Sequence, residues 1–563
     1  MKKETAMIHA KLAPSIEKVF RDSSYAEVPT LTHLYAYRNQ LVSFQIVLHG
    51  DCWDPHRSWL GLKIEGIPEE AVTLRDVDMI PVQLPVTPGS FDAGYLRTTP
   101  GLYPDLLSPI QMGGMLRLLD KACTSVWVDV DMTKIPTQKK TYDIKANFNV
   151  NCCDHSVDCP LTITALPANL PEIDFKVTQW FHCDCLANYY HCESFDERHW
   201  RIIENFMKTA VKNGINMILT PIFTPPLDTA HGGERRTTQL IGVRRFANGK
   251  YKFDFTLLDR WIETANRAGV KYLEISHMFT QWGAEHAPKI MATTPNGYEK
   301  IFGWDTDATG REYKHFLQKF VPALVEHLKA RGDDKRCVYH ISDEPHGSQI
   351  KQYMKAKAIV APYLKDYMFI DALSDENFYK EGIIPVPVAA TDNIDKFIEA
   401  FREKNDKGLW AYYCCGQNRG VSNRYYSMSG ARTRFIGFQF YKYDIAGFLQ
   451  WGYNFYNNQF SCDPINPYVQ PSGNYFVPAG DMFSVYPGMD ETALESIRIN
   501  YFREGLDDLR ALKLCESFIG KDATLAAAEE IAGNITFGQC VNETTRMMAL
   551  REKIDSIVAE HLK

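Results

Sequence analysis

The sequence predicts a multidomain β plus α/β fold: an N-terminal β-sandwich, then a (β/α)8 barrel of the TIM type, then a helical C-terminal tail. Three observations carry that prediction. Residues 1–168 read as short strands between turn-forming residues, with no long helix. From about residue 172 the rhythm becomes strand, helix, strand. Eight such units follow within about 330 residues, the span of one closed barrel.

In the first part, Leu41-Val42-Ser43-Phe44-Gln45-Ile46-Val47-Leu48 is an apolar run that stops at His49-Gly50. Ser125-Val126-Trp127-Val128-Asp129-Val130-Asp131 alternates, which puts Val126, Val128 and Val130 on one face. Residues 140–148 alternate in the same way. Ala165-Leu166-Pro167-Ala168-Asn169-Leu170-Pro171 is bracketed by prolines and reads as a linker. The expected barrel strands are 175–181, 217–221, 272–276, 337–341, 367–371, 386–390, 409–413 and 447–451. Helical stretches at 198–213, 257–268 and 312–331 each end at a glycine, a C-cap signal. A Gly/Pro/Asn-rich loop at 457–487 follows strand eight, and 496–516 reads as the last barrel helix. The expected domains are therefore 1–168, 172–516 and a helical extension over 517–563.

Composition removes several classes of function. The net charge is -7 and no Lys/Arg block is present, so nucleic acid is not an expected partner. No window reaches the ~20 apolar residues of a membrane span. Met1-Lys2-Lys3-Glu4-Thr5-Ala6-Met7-Ile8-His9-Ala10 lacks a signal-like apolar stretch. A cytoplasmic location is the expectation, with a leader already removed as the alternative. The 14 cysteines form no framework, although Cys152-Cys153 and Cys414-Cys415 are adjacent, so they read as thiols of a reducing compartment. Cys183-x-Cys185, beside His182 and Asp184, lacks the CxxC spacing of structural zinc. On a strand it would put the cysteines on one side and His182 and Asp184 on the other. Neither a metal nor a cofactor is expected. Aromatic residues reach 12%, which suits stacking on sugars as well as packing a barrel.

The chemistry concentrates in Ile341-Ser342-Asp343-Glu344-Pro345-His346. Two adjacent carboxylates follow a strand-like run, where desolvating them is costly. The C-terminal ends of barrel strands are where such enzymes keep catalytic groups. The alternative is a helix start with Asp343 as cap and Pro345 in the first turn. A two-carboxylate retaining glycosidase needs a second carboxylate about 5 Å away, usually from strand seven. Strand seven reads Leu409-Trp410-Ala411-Tyr412-Tyr413-Cys414-Cys415-Gly416-Gln417-Asn418 and offers none. The adjacent pair suits substrate assistance instead, in which a 2-acetamido oxygen attacks C1. Glu344 would then be the acid/base and Asp343 the group that holds the acetamido N–H. Other strand ends supply candidate sugar-binding residues: His182 and Asp184 after strand one, His277 and Trp282 after strand three. Tyr412 and Tyr413 lie on strand seven, and Trp451, Tyr453 and Asn454 end strand eight. Only one of Tyr412 and Tyr413 can face the barrel interior.

The chain resembles glycoside hydrolase family 123, the β-N-acetylgalactosaminidases, and the wider group that shares their catalytic domain. Tyr37-Arg38-Asn39-Gln40 with Phe44-Gln45-Ile46-Val47-Leu48, and Val126-Trp127-Val128-Asp129-Val130, resemble its sandwich. Trp180-Phe181-His182-Cys183-Asp184 resembles its first barrel strand, and Ser342-Asp343-Glu344-Pro345 its catalytic pair. Tyr486-Pro487-Gly488, Ser496-Ile497-Arg498 and Arg503-Glu504-Gly505-Leu506-Asp507-Asp508 resemble its closing motif. The resemblance implies an exo-acting, retaining enzyme on glycans or glycoconjugates, releasing β-linked N-acetylhexosamine, N-acetylgalactosamine first. Two rivals stand beside it. One is a glycosidase of other specificity on the same barrel, an inverting one included, with Glu344 as acid and Asp371, Asp375 or Asp392 as base. The other is a non-catalytic glycan-binding protein.

Overall fold

The structure is a computed structural model that describes residues 7–51, 59–110, 116–117, 119–152 and 155–562. Cys153 of the Cys152-Cys153 pair, and Met1 to Ala6 of the segment read for a leader, lie outside them. The chain forms two compact units, neither continuous in sequence. One comprises Met1–Ile173, Asn418–Tyr443 and Leu494–Lys563. The other comprises Asp174–Gln417 and Asp444–Ala493. The helix expected at 496–516 forms as Ile497–Ile519 and belongs to the first unit.

The first unit contains two five-stranded sheets. Leu41–Asp51 pairs antiparallel with Thr124–Asp131, and His155–Leu166 pairs antiparallel with Tyr142–Cys152. Alternation puts Val126, Val128 and Val130 in one core cluster with Phe44, Phe148 and Ile163. The opposite face carries Trp127, whose indole N–H donates to Asp129. Among the described residues five α-helices, Gly430–Arg434, Ile436–Lys442, Ile497–Ile519, Lys521–Ala532 and Thr544–His561, complete this unit. One buried cluster of its charges is matched. Arg434 clamps Asp508 through two bonds of 2.7 Å and reaches Glu504, while Arg551 spans Asp508 and Asp555.

The second unit is a closed barrel of eight parallel strands. In order these are Lys176–Gln179, Met217–Thr220, Tyr272–Ile275, Cys337–Tyr339, Met368–Leu373, Val386–Ala390, Trp410–Tyr412 and Gly447–Gln450. Each lies within two residues of its expected run. The barrel interior is filled by Met217, Leu219, Val338, Ile370, Val388, Trp410 and Leu449. The helices Thr256–Ala268 and Arg311–Arg331 end at Gly269 and Gly332 in the left-handed conformation, as the glycine signals predicted. A four-stranded sheet grows from the loops after strands two and three, which builds those loops up on the C-terminal side. No helix among the described residues is long and apolar enough to cross a membrane.

Candidate active site

A cavity of about 320 Å³ opens at the C-terminal ends of the barrel strands. Its floor is Trp180, Ala372, Tyr412 and Leu449, from strand ends one, five, seven and eight. Its walls come from three loops. Leu227 and Asp228 follow strand two, Gln281 and Trp282 follow strand three, and Phe460, Phe476 and Val477 follow strand eight. The volume is near the lower end of the roughly 300–1,000 Å³ range for small-molecule sites, enough for one sugar ring.

Asp343 and Glu344 both line this cavity, half-buried. Asp343 is not a helix cap, because the next helical turn starts only at Gly347, with His346 at its cap. Glu344 has a φ of 43°, in the left-handed region that non-glycine residues avoid. Trp282 at 59°, Asp228 at 41° and Phe460 at 59° share that conformation around the same cavity. Strain of this kind is retained where the surroundings hold it for a purpose. The Asp343 carbonyl accepts the Trp282 N–H at 2.9 Å, which joins the strand-three loop to the strand-four end.

Tyr412 points inward and donates its hydroxyl to Glu344 at 2.7 Å. Tyr413 points the other way and packs its ring on Phe448 at 4.9 Å, so the choice between the two tyrosines is decided in favour of Tyr412. Burial, followed by the charge of Glu344, pushes the Asp343 carboxyl well above the usual carboxylate range. No Lys or Arg lines the cavity among the described residues.

Beneath the pair lies a buried layer that sequence reasoning left unassembled. His340 sits between Glu274 of strand three and Asp371 of strand five, at 2.7 and 3.1 Å. Burial works against its charge, but the hydrogen bonds to Asp371 and Glu274 prevail and raise it to about 9. His340 is therefore an imidazolium at neutral pH. Trp180 also donates to Glu274, at 2.8 Å, which fixes the indole on the cavity floor. The visible signal was one ionisable residue inside an apolar run, Glu274 in Tyr-Leu-Glu-Ile and His340 in Val-Tyr-His-Ile.

The remaining candidates divide. His182, Trp282 and Trp451 line the cavity. The Trp451 indole donates to Asp481 at 2.9 Å. His182 donates from Nε2 to the Trp451 carbonyl at 2.8 Å and accepts from Arg235 at Nδ1. Asp184, His277, Tyr453 and Asn454 are not brought into the cavity. Asp184 is buried in a two-bond clamp from Arg235. Asn454 ties itself to the His182 backbone from both ends of its amide. Tyr453 stacks on Phe181 and donates to the Phe206 carbonyl. His277 stacks on His340 with ring centroids 4.2 Å apart, and neither ring nitrogen has a hydrogen-bond partner among the described residues. The Cys183-x-Cys185 segment is the start of a helix, Cys183–Tyr189, and not a strand. Asp228 is a cavity residue that sequence reading missed, and burial raises its carboxyl to about 6.

One cluster has the donors for a metal. Atoms of His277, His340 and Asp371 lie within 4.8 Å of one another. Both nitrogens of His340 are already engaged by carboxylates, however, so an ion there would have to break those bonds.

The sequence profile described as "Glycoside hydrolase 123, catalytic domain" matches residues 180–515. The chain belongs to glycoside hydrolase family 123. It is similar to the family 123 glycoside hydrolase from Clostridium perfringens, whose structure was reported for glycolipid glycan hydrolysis. The two are 14% identical, with a TM-score of 0.73 over 99% of both chains, a likeness of fold. A family 10 xylanase from termite gut is 10% identical, TM-score 0.32, over 86% of this chain and 100% of its own. The endo-β-1,4-mannanase from Thermotoga petrophila is 12% identical, TM-score 0.34, over 61% and 78%. No curated protein matches the sequence. Family membership makes the chain a glycoside hydrolase acting on glycan substrates.

Proposed function

We propose that this family 123 hydrolase is an exo-acting, retaining β-N-acetylhexosaminidase, with β-N-acetylgalactosamine the favoured sugar, that uses substrate assistance. The observation that carries the reading is the composition of the cavity. It holds two adjacent carboxylates and, at the end of strand seven, Tyr412 and Cys414 where a nucleophilic carboxylate would stand. The nucleophile is then the sugar's own acetamide.

In the first step the acetamido oxygen attacks C1 while Glu344 gives its proton to the leaving glycosidic oxygen. Asp343 accepts the acetamido N–H and offsets the positive charge that builds on the oxazolinium ring. Glu344, now a carboxylate, takes a proton from water as that water opens the ring at C1, and the β-configuration is restored. Tyr412 orients Glu344 for both proton transfers. The N–H of a bound acetamide also favours the ionised form of Asp343, whose charge burial otherwise opposes. Trp180 and Trp451 offer apolar faces to the sugar ring. The enzyme from Clostridium perfringens, described for glycolipid glycan hydrolysis, suggests glycolipid glycans as the first natural substrates to try.

The rival bases have other employment. Asp371 is buried under His340 and Tyr353, while Asp375 and Asp392 hold Asn377 and Gln417. One observation favours a second reading. Asp228 shares the cavity, and its carboxyl at about 6 suits a general base in an inverting reaction. A panel of 4-nitrophenyl β-GalNAc, β-GlcNAc, β-Gal and sulfated β-GalNAc, with the anomer of the first product read by NMR, separates the two. Retention on acetamido sugars alone, with inhibition by a thiazoline analogue, is expected. Inversion, or equal cleavage of the plain galactoside, would contradict substrate assistance.

A further inference from the structure

Cys414 and Cys415 both line the cavity and both are half-exposed, whereas most of the described cysteines are buried. Cys414 stands two residues beyond Tyr412, just past the end of strand seven, and lines the same cavity. The chain turns at Cys415, which brings the second thiol round to the first. Gln417 fixes that turn. Its side-chain oxygen accepts the Cys414 N–H at 2.8 Å, and its amide donates to Asp392 at 3.0 Å. The neighbouring Cys415 thiol, then burial and the charge of Glu344, push the Cys414 thiol well above its ordinary range.

We infer that Cys414 and Cys415 form a covalent site, in the wall of the catalytic cavity, for a thiophilic ligand that bridges two sulfurs, a trivalent arsenical by class. A direct disulfide suits the pair poorly. Adjacent Cα atoms stand about 3.8 Å apart across a trans peptide, short of the roughly 4.4–6.8 Å that an unstrained disulfide spans. One bridging atom bonded to both sulfurs relieves this, because the two sulfurs no longer have to approach to S–S bond length. Among the described residues the cavity supplies no further soft donor, since the one imidazole lining it, His182, has both nitrogens engaged. A ligand content with two thiolates therefore fits better than one that needs four. With an organoarsenic(III) oxide, two S–H bonds and the As=O bond break. Two As–S bonds form, one water leaves, and arsenic stays trivalent. The organic group is then held in the cavity beside Glu344, where a sugar would have to enter.

The test uses the full chain with Cys152→Ser and Cys153→Ser, which removes the other adjacent pair, and phenylarsine oxide as the probe. Peptide mass mapping should find one phenylarsenic adduct bridging Cys414 and Cys415. Glycoside hydrolysis should fall at least tenfold. A dithiol such as 2,3-dimercaptopropanol should remove the adduct and restore activity, and a monothiol at equal thiol concentration should not. Cys414→Ser and Cys415→Ser, each checked for native circular dichroism, should lose the adduct. An adduct that survives Cys415→Ser, equal reversal by a monothiol, or an adduct without loss of hydrolysis would overturn the inference. The adduct is read by mass, so the outcome is separate from whether the favoured substrate is an acetamido sugar.

Discussion

Just past strand one stands Asp184 and just past strand four stands Asp343, and the barrel treats these two carboxylates in opposite ways. Asp184 is buried, which alone would raise its carboxyl, but the Arg235 clamp prevails and holds it below the ordinary range. Asp343 is desolvated beside Glu344 with no Lys or Arg lining its cavity, and its carboxyl is pushed well up. The sequence signatures are alike, an acidic residue after an apolar run. The difference is the neighbour. A matched carboxylate holds the strand-one end in place, whereas on the proposed mechanism the Asp343 carboxylate, which burial disfavours, would meet its partner charge only during reaction.

The largest effect expected from breaking the unmatched pair is on rate. Glu344→Gln should lower kcat/KM on glycosides with poor leaving groups by about 10²- to 10⁴-fold. The glycosylation step on activated aryl glycosides should suffer far less, and single-turnover kinetics would read the contrast. Equal losses would remove Glu344 from the acid role.

Breaking the matched pair should show in stability. Asp184→Ala strands the buried Arg235 charge and should cost about 3–5 kcal/mol in urea unfolding at pH 7. A group with a lowered folded pKa stabilises above its unfolded value and loses that contribution as pH falls through the folded one. The deficit of Asp184→Ala should therefore shrink in acid. A deficit that grows in acid would contradict the pairing.

Tyr412→Phe removes one charge-assisted bond to Glu344 and should cost about 1.5–3 kcal/mol of transition-state stabilisation, roughly 10- to 100-fold in kcat. The smallest effect has the opposite sign to that of Asp184. Asp343 has a raised folded pKa, so its contribution to stability is fully present below the unfolded value and lost as pH rises through the folded one. Asp343→Asn should then stabilise the barrel by about 1 kcal/mol or more at pH 7, a gain that vanishes below about pH 4. Thermal unfolding against pH would show it, and a destabilised Asp343→Asn would mean that the His340 imidazolium beneath the pair outweighs burial and the Glu344 charge at this carboxylate.

The barrel was legible because its strands are apolar runs closed by turns and its helices stop at glycine, signals that lie within ten residues of each other. That Asp343 and Glu344 line the cavity was legible because two charges at a strand end have few structural uses. Compact units interrupted in sequence were not legible, since Asn418–Tyr443 carries no mark of the partner to which it belongs. Nor was the layer of Glu274, His340 and Asp371, which three strands bring together from positions up to 97 residues apart. Arg235 and Asp228 sit in a long loop with no periodicity to point them inward. The positive φ of Glu344 is a tertiary property that no local pattern encodes.

The central claim is that Asp343 acts on the acetamido group. Its most direct test is kcat for wild type and Asp343→Asn on matched 4-nitrophenyl β-N-acetylgalactosaminide and β-galactoside. Loss of a charge-assisted bond made mainly in the transition state should cost roughly 2–4 kcal/mol, about 30- to 1000-fold in kcat, on the acetamido sugar. The galactoside should be nearly inert with both proteins and indifferent to the substitution. Comparable cleavage of both sugars by the wild type, or equal losses on both in the variant, would contradict the account.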